Sequence, residues 1–422
     1  MKFALLTFGC RVNQADSFAF DEGLRLRGAV EAPPGDADLV IVNTCSVTGA
    51  ADQGARRAIR NLARDNPAAR IVVTGCYATR QPGDLAGLPN VVSVVPNDGK
   101  DGLLRLLDEQ FTLTTADRFS GGEGGCGSGS VMAPGALGRT AYPVRVQTGC
   151  DQSCAFCIIP STRGRSRSRP VSDVRADVRR VAEAGYKEIW LVGVHLGSFG
   201  RDFDTPSSLL GLLHELDRLP GDATFRLGSL EPMDCPPALV DLLAASGRFA
   251  PHLHLPLQHA SDRVLAAMRR PYSFAFYRDL VGRIADRIPG ASIGTDMIAG
   301  FPGESAEDAG ISVRRLGDLP LAYVHVFPYS DRPGTEAGAL PGKVNAADTK
   351  QRAGELRDAG AALTARFAAA QAGSVRPGLT LDDGTLVLTD NFLKVRIPPG
   401  LARNTRVRVR IDSPDLAGSI VG

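Results

Sequence analysis

Gly149-Cys150-Asp151-Gln152-Ser153-Cys154-Ala155-Phe156-Cys157 places three thiols on one short loop, spaced C-x3-C-x2-C. Thiolates are soft ligands that suit iron–sulfur clusters and zinc. A closed tetrahedral zinc site needs a fourth ligand nearby, usually from a second C-x2-C or an H-x3-5-H, and neither follows. Cys150, Cys154 and Cys157 can instead hold three irons of a four-iron cluster and leave the fourth open to a substrate or cofactor. Phe156, just ahead of the last thiol, can shield such a cluster from water and stack on a ring. The alternative is three ordinary buried thiols, but free cysteines seldom gather this way without a metal or redox purpose.

The 422-residue chain has length for two or three domains, each with its own core. Hydrophobic residues at 43% and charged residues at 22% are ordinary globular values. No apolar run is long enough to span a bilayer. Met1–Leu6 imitates a signal start, but Cys10, Arg11 and Asn13 follow closely, and it reads as a first strand. A net charge of +2 neither demands nor excludes nucleic acid, so the placement of charge decides. Eight cysteines in so long a chain speak against a disulfide scaffold and for a reducing, cytoplasmic setting with metal ligation.

Strands and helices alternate through the first third. Apolar runs at Phe3–Phe8, Leu39–Val42, Ile71–Thr74 and Val91–Val95 predict buried strands. Helices are expected near Ser17–Arg27, Asp52–Arg64 and Lys100–Gln110. The alternation implies a parallel sheet, whose ligands bind beyond the carboxyl ends of its strands. Cys10, Cys45 and Cys76 each fall just past a predicted strand, so parallel strands would gather them at one edge as a second three-thiol cluster site. Unrelated small core residues are the alternative. Residues 112–139 include Gly121–Ser130, a glycine- and serine-rich linker in which Cys126 is incidental.

From 140 to 371 the alternation resumes. Strands are expected at Tyr142–Val146, Glu188–Val194, Thr224–Leu227, His252–Leu257, Ser292–Ile298 and Ala322–Phe327. Helices are expected at Val171–Ala184 and Glu304–Asp318 among others. Six β/α units make a partial barrel, with the Cys150 loop after its first strand, where barrel active sites lie. Arg163, Arg165, Arg167 and Arg169 follow with no acid between them, a patch suited to phosphate. A long helix over Ala347–Gly373 leads to short strands, at Leu379–Leu381, Thr385–Thr389, Leu393–Ile397 and Arg406–Ile411, that suggest a small barrel over 372–422. Arg406, Arg408 and Arg410 alternate with apolar residues and so share one face. Cys235, before Pro236-Pro237, reads as structural.

The C-x3-C-x2-C spacing with its aromatic resembles the signature of radical S-adenosylmethionine (SAM) enzymes. Gly9-Cys10-Arg11-Val12-Asn13, Asn43-Thr44-Cys45-Ser46-Val47-Thr48 and Thr74-Gly75-Cys76-Tyr77-Ala78 resemble the N-terminal domain of the methylthiotransferases within that superfamily. Thr389-Asp390-Asn391-Phe392-Leu393-Lys394-Val395 resembles their terminal TRAM barrel. The resemblance implies an α/β fold class: an N-terminal parallel α/β domain (1–111), a central radical SAM partial (β/α)6 barrel and a small C-terminal TRAM-like β-barrel that binds RNA. It implies two [4Fe-4S] clusters, one on Cys150, Cys154 and Cys157 that cleaves SAM, and one on Cys10, Cys45 and Cys76 that supplies sulfur.

Other strand ends then become candidate SAM contacts. These are Phe156; Gly193 at the end of the second strand; Ser229 and Glu231 after the third; Gln258 after the fourth; and Asp296 and Gly300 in Asp296–Glu304, which resembles the family's glycine-rich motif. Gln258-His259-Ala260-Ser261 departs from the family's Gln-Ser-Gly-Ser and puts the backbone role of the missing glycine in question. Three substrates compete: threonylcarbamoylated adenosine in tRNA, isopentenylated adenosine in tRNA, and an aspartate of a ribosomal protein. Gly185–Ile189, Gly193-Val194-His195 and His325–Ser330 look most like the first type. A non-catalytic iron–sulfur protein that binds tRNA is the alternative of another class. Expected partners are tRNA, a sulfur source and a flavodoxin- or ferredoxin-like electron donor, with no membrane, for a cytoplasmic monomer.

Overall fold

The computed structural model describes residues 1–111 and 133–421. Most of the expected linker, with Cys126, lies outside the described residues. Two compact units emerge. The first comprises residues 1–132 together with Thr148–Asp151 and Ile158–Arg165; the second comprises the remainder.

The first unit is a five-stranded sheet, ordered β2-β1-β3-β4-β5. Its strands are β1 (Lys2–Thr7), β2 (Val30–Glu31), β3 (Leu39–Thr44), β4 (Arg70–Gly75) and β5 (Val91–Val95). Every pairing is parallel. Alternate residues of each strand feed opposite faces, as a pleated strand requires. Val40, Val42, Ile71 and Val73 pack beneath the helix Gly49–Asp65, with its Ile59 and Leu62. Leu39, Ile41 and Val72 pack with Phe20 and Leu24 of the helix Arg11–Leu26 and with Leu103 and Leu107 of Leu103–Phe111. The sheet therefore has helices on both faces. Its order reverses direction at β1, so the crevice between β1 and β3 is a topological switch point. The short edge strand β2 was not legible in the sequence, because both its residues are exposed.

The second unit carries six parallel strands: β6 (Tyr142–Arg145), β7 (Glu188–Val192), β8 (Thr224–Leu227), β9 (His252–His254), β10 (Ser292–Ala299) and β11 (Tyr323–Pro328). They pair as β6-β7-β8 and as β9-β10-β11. Isolated parallel bridges, Phe225 to Phe249 and Ser229 to His254, join the two halves. The result is an open partial barrel of six β/α units. Its last crossover helix, Ala306–Gly317, begins with a capping box between Ser305 and Asp308. The question raised by the missing glycine has a simple answer: Gln258, not Ala260, takes the left-handed backbone, with φ 71°. Cys235 is buried, and burial pushes its thiol up to about 12, as suits a structural residue.

A helix of 26 residues, Ala346–Gln371, leads to the C-terminal sheet. That sheet has strands β12 (Val375–Leu381), β13 (Leu386–Thr389), β14 (Lys394–Arg396), β15 (Arg406–Ile411) and β16 (Gly418–Ile420). It is antiparallel, ordered β14-β13-β12-β15-β16, and curls around Val387, Val395, Val409 and Ile411. A bridge from Arg396 to Ala417 draws its two edges together.

Arg226, fully buried on β8, fastens this sheet to the barrel. It donates to both oxygens of Glu188, at 3.2 and 2.9 Å, and to the carbonyls of Thr389 (3.3 Å) and Asp390 (2.8 Å). The Phe392 ring lies 5.2 Å from its guanidinium carbon. A buried charge is tolerated only when its donors are all used, and here they bind the turn that the sequence had marked as TRAM-like.

Arg226→Met should leave Glu188 buried without its cation and cost about 3–5 kcal/mol, read as a lowered midpoint in denaturant. Adding Glu188→Gln should recover part of the loss. His259 gives a pH dependence. It is buried, and its Nδ1 accepts the Ser261 N–H at 3.0 Å. Burial lowers it to about 4. The unfolded chain, near 6.5, binds the proton first. Stability should therefore fall as pH drops from about 6.5 towards 4. Asp296 and Asp308, both held low, act only below that window. Thermal midpoints between pH 7 and pH 5 should drop for the natural sequence and drop less for His259→Gln.

Candidate active site

Three loops at the carboxyl edge of the first unit's sheet carry Cys10, Cys45 and Cys76. Cys10 caps the helix Arg11–Leu26, Cys45 follows β3 directly, and Cys76 opens the short helix Cys76–Arg80 after β4. The backbone comes close enough for this only because two positions lack a side chain. A Cβ on Gly9, at φ 87°, would sit 2.5 Å from the Cys45 sulfur; one on Gly75, at φ 102°, would sit 2.2 Å from the Thr44 carbonyl oxygen. Asn13 donates to the carbonyls of Phe8 (2.8 Å) and Thr44 (2.9 Å), holding the ends of β1 and β3. Burial pushes the Cys45 thiol up to about 11, and the charges of Cys10 and Cys76 add to this. Asn97 donates to the Cys76 sulfur at 3.6 Å. Three thiols gathered at one sheet edge in a glycine-lined cradle fit a multivalent iron centre better than free thiols.

Beneath the cysteines lies a polar layer that sequence reasoning missed. Lys100, buried, donates to Asp16 at 2.7 Å and to Asn43 at 3.0 Å. Arg163, only 4% exposed, donates to Asn13 and lies 3.5 Å from Asp16. This corrects the expectation that Arg163 belongs to a phosphate-binding patch: its guanidinium is sequestered. Of the same run, Arg169 is tied to Asp177 at 2.7 Å and to the Arg145 carbonyl at 3.1 Å. Arg165 has a side chain 92% exposed, and Arg167 is exposed. Arg406 departs from expectation differently, remaining exposed but already paired. It turns onto the barrel, reaching the carbonyls of Lys187 and Asp222 and the hydroxyl of Thr224. Arg408 is exposed, and Arg410 pairs with Asp412 at 2.7 Å.

The central cysteine loop divides between the units. Within the first, Cys150 donates its N–H to the Gly164 carbonyl at 3.1 Å, beside Gly149, where a Cβ would collide with the Arg165 carbonyl. Within the second, Arg270 donates to the Cys154 sulfur at 3.1 Å and to Glu231. Its Nε donates to the Tyr272 hydroxyl at 3.0 Å, which donates onward to the Pro256 carbonyl at 2.8 Å. Burial works against the Arg270 cation, but Glu231, Tyr272 and Cys154 outweigh it and hold it charged. Glu231 is thus brought to Cys154 through a residue the sequence reading did not single out. Phe156 packs with Val264, Met268, Ile298 and Phe301. A sulfur held against a fixed cation fits a cluster ligand, and Cys154 meets that description.

The remaining candidate contacts lie at strand ends. Gly193 sits against Gln147, where a Cβ would be 3.0 Å from the side-chain oxygen. Ser229 is exposed and bridges to His254. Gln258 donates its N–H to the Asp296 carbonyl at 2.8 Å. Gly300, at φ 81°, and Phe301 both offer N–H groups to Glu304. Asp296 is 3.0 Å from His254 Nε2 and 3.2 Å from His325 Nδ1. Burial opposes its charge, but the two imidazoles hold its carboxyl down to about 2. The Tyr323 hydroxyl continues the chain to His254 Nδ1 (3.1 Å) and His252 Nε2 (2.9 Å). The pattern His252-Leu253-His254 held the missed signal, since a period of two sends both imidazoles to one side of a strand.

Residues 2–96 match the uncharacterized protein family UPF0004, and residues 144–316 match the radical SAM superfamily. A threonylcarbamoyladenosine tRNA methylthiotransferase of Aquifex aeolicus is 34% identical over 402 residues, covering 94% of this chain and 96% of that protein. One of Bacillus subtilis is 33% identical, covering 81% and 76%. A tRNA-2-methylthio-N(6)-dimethylallyladenosine synthase of Nitratidesulfovibrio vulgaris is 36% identical, covering 81% and 78%. Among solved structures, the radical SAM methyltransferase TsrM of Kitasatospora setae matches with a TM-score of 0.56 at 16% identity, covering 80% of this chain and 76% of that one, a likeness of fold. With thiols gathered at the sheet edge, a partial barrel behind C-x3-C-x2-C and relatives matched nearly end to end, the chain belongs to the radical SAM methylthiotransferase family.

Proposed function

We propose that this enzyme inserts a methylthio group into N6-threonylcarbamoyladenosine of tRNA, beside the anticodon, giving 2-methylthio-N6-threonylcarbamoyladenosine. The observation that carries the reading is the pair of three-cysteine sets, one at strand ends of the N-terminal sheet and one on the barrel's first loop, in a chain matched to threonylcarbamoyladenosine enzymes over most of its length. Cys150, Cys154 and Cys157 would hold one [4Fe-4S] cluster; Cys10, Cys45 and Cys76 would hold a second. A cluster with an open iron supplies the electron that splits SAM into methionine and a 5′-deoxyadenosyl radical, which can abstract hydrogen from an unreactive ring carbon.

The chain's own groups bind and orient. Arg270 holds the Cys154 sulfur and the Glu231 carboxylate on one guanidinium. Glu231 and Ser229 would take ribose hydroxyls. Gly193, Gln258 and the Gly300 turn leave room for SAM, and Phe156 excludes water. Asp296, clamped between His254 and His325, stays ionised and presents a fixed acceptor in the barrel. Exposed Arg165, Arg167, Arg408 and Arg410 would meet tRNA phosphates, a binding that weakens steeply with salt. Anticodon-loop bases are unstacked easily enough for a pocket to accept one. A sulfur source and a flavodoxin- or ferredoxin-like reductant complete the reading.

The dimethylallyladenosine relatives, at 36% identity, favour a second reading in which the isopentenylated base is the substrate. Nucleoside mass spectrometry of tRNA from cells with and without this gene separates the two. The expected result is loss of 2-methylthio-N6-threonylcarbamoyladenosine with accumulation of its unthiolated precursor. Loss of the dimethylallyl product instead would support the second reading, and an unchanged profile would refute both. Complementation with Cys45→Ala or Cys154→Ala should fail equally. In purified protein only Cys154→Ala should abolish reductive SAM cleavage.

A further inference from the structure

We propose that Arg163 is an anion-binding residue of the N-terminal cysteine site, and that its anion is the incoming sulfur species, hydrosulfide or a small alkylthiolate. This rests on the proposed function only in taking Cys10, Cys45 and Cys76 as a cluster site. Arg163 comes from the segment just after the central cysteines, yet Ile158–Arg165 folds with the first unit.

Its guanidinium is buried, and its donors are not all used. Nη2 reaches Asn13 and Asp16, Nη1 reaches the Thr148 hydroxyl at 3.4 Å, and Nε has no hydrogen-bond partner among the described residues. A buried unsatisfied donor carries a free-energy cost, and a site that exists to receive a ligand is one reason to bear it. The local charge points the same way. A single carboxylate, Asp16, serves both Lys100 and Arg163. Its segment is tied to the cysteine site: the Asn97 amide donates to the carbonyl of the adjacent Thr162 at 2.8 Å and to the Cys76 sulfur at 3.6 Å.

The ligand class follows from access and chemistry. A polyanion such as an RNA backbone cannot reach a guanidinium 4% exposed, so the ligand class is a small monoanion. Where three thiols would hold a cluster, the monoanion that shares their softness is a sulfur anion. Arginine suits the role because it stays charged when buried and is less strongly hydrated than an ammonium.

The test uses the full chain carrying Cys150→Ala, Cys154→Ala and Cys157→Ala, reconstituted anaerobically so that only an N-terminal cluster forms. Sodium sulfide is titrated against the electron paramagnetic resonance spectrum of the reduced cluster, with methanethiol as a second probe. Iron is measured on the same samples. Arg163→Gln should raise the hydrosulfide concentration at half-change at least tenfold with iron content unchanged, and Arg163→Lys should raise it less. Equal half-change points in parent and Arg163→Gln would overturn the proposal. So would a parent cluster that does not respond to hydrosulfide. Loss of iron from both Arg163→Gln and Arg163→Lys would overturn it too, because a group that only holds the anion is not needed to hold iron. If Arg163→Gln alone loses iron, the Arg163→Lys titration decides: a half-change point equal to the parent's refutes the proposal. A parent with no cluster at all would refute the two-cluster reading, a failure distinct from these.

Discussion

The side chain of Asn13 governs what the first unit can do. A parallel sheet brings its strand ends to one edge, but strand ends with open carbonyls would close on one another or draw in water. Asn13 prevents this by giving its two amide protons to main-chain carbonyls at the ends of two different strands, Phe8 after β1 and Thr44 on β3. Asn43 returns a hydrogen bond to the Asn13 carbonyl at 2.8 Å. With the switch-point crevice propped in this way, Cys10 and Cys45 can sit across it, and Gly9 and Gly75 supply the clearance their sulfurs need. A buried amide with its donors satisfied costs little, whereas its loss would leave two buried carbonyls unpaired.

A common device recurs in the two units. In each, a buried arginine lies against a cysteine sulfur: Arg163 beside Cys76 and Arg270 beside Cys154. In each, a carboxylate shares the same guanidinium, Asp16 in one and Glu231 in the other. A thiolate ligand is a buried anion, and cluster ligation multiplies that charge within a small volume. At Cys154 a fixed cation offsets the desolvation cost and fixes the sulfur in place, whereas Arg163 keeps its Nε without a partner among the described residues. The C-terminal sheet is fastened by the same residue type, through Arg226 against Glu188 and the Thr389–Asp390 carbonyls.

Much of this was legible in the sequence because it depends on periodicity and spacing. Valine- and isoleucine-rich runs located the strands, and the position of each cysteine just past a run located the sheet-edge site. What the sequence withheld was side-chain direction. Arg163 and Arg406 look in sequence like neighbours of Arg165 and Arg408, yet Arg163 turns inward to buried acceptors and Arg406 folds along the surface onto the Lys187 and Asp222 carbonyls, while each neighbour stays in solvent. Such a choice is made by partners distant in the chain, Asp16 for one and Asp222 for the other. Arg270 and Lys100 escaped notice for the same reason: their partners lie 116 and 84 positions away. His252, His254 and His325 were missed differently, since alternation in a strand was present but three strands had to converge before His254 and His325 met the Asp296 carboxylate and His252 met the Tyr323 hydroxyl.

The central claim is that the sheet edge builds a second iron site independent of the central loop. Iron analysis with Mössbauer spectroscopy on anaerobically reconstituted protein tests it most directly. The account predicts about eight irons in two four-iron clusters for the natural sequence, and about four for a protein lacking Cys10, Cys45 and Cys76. A natural sequence that takes up only about four irons, all lost when Cys150, Cys154 and Cys157 are replaced, would contradict it.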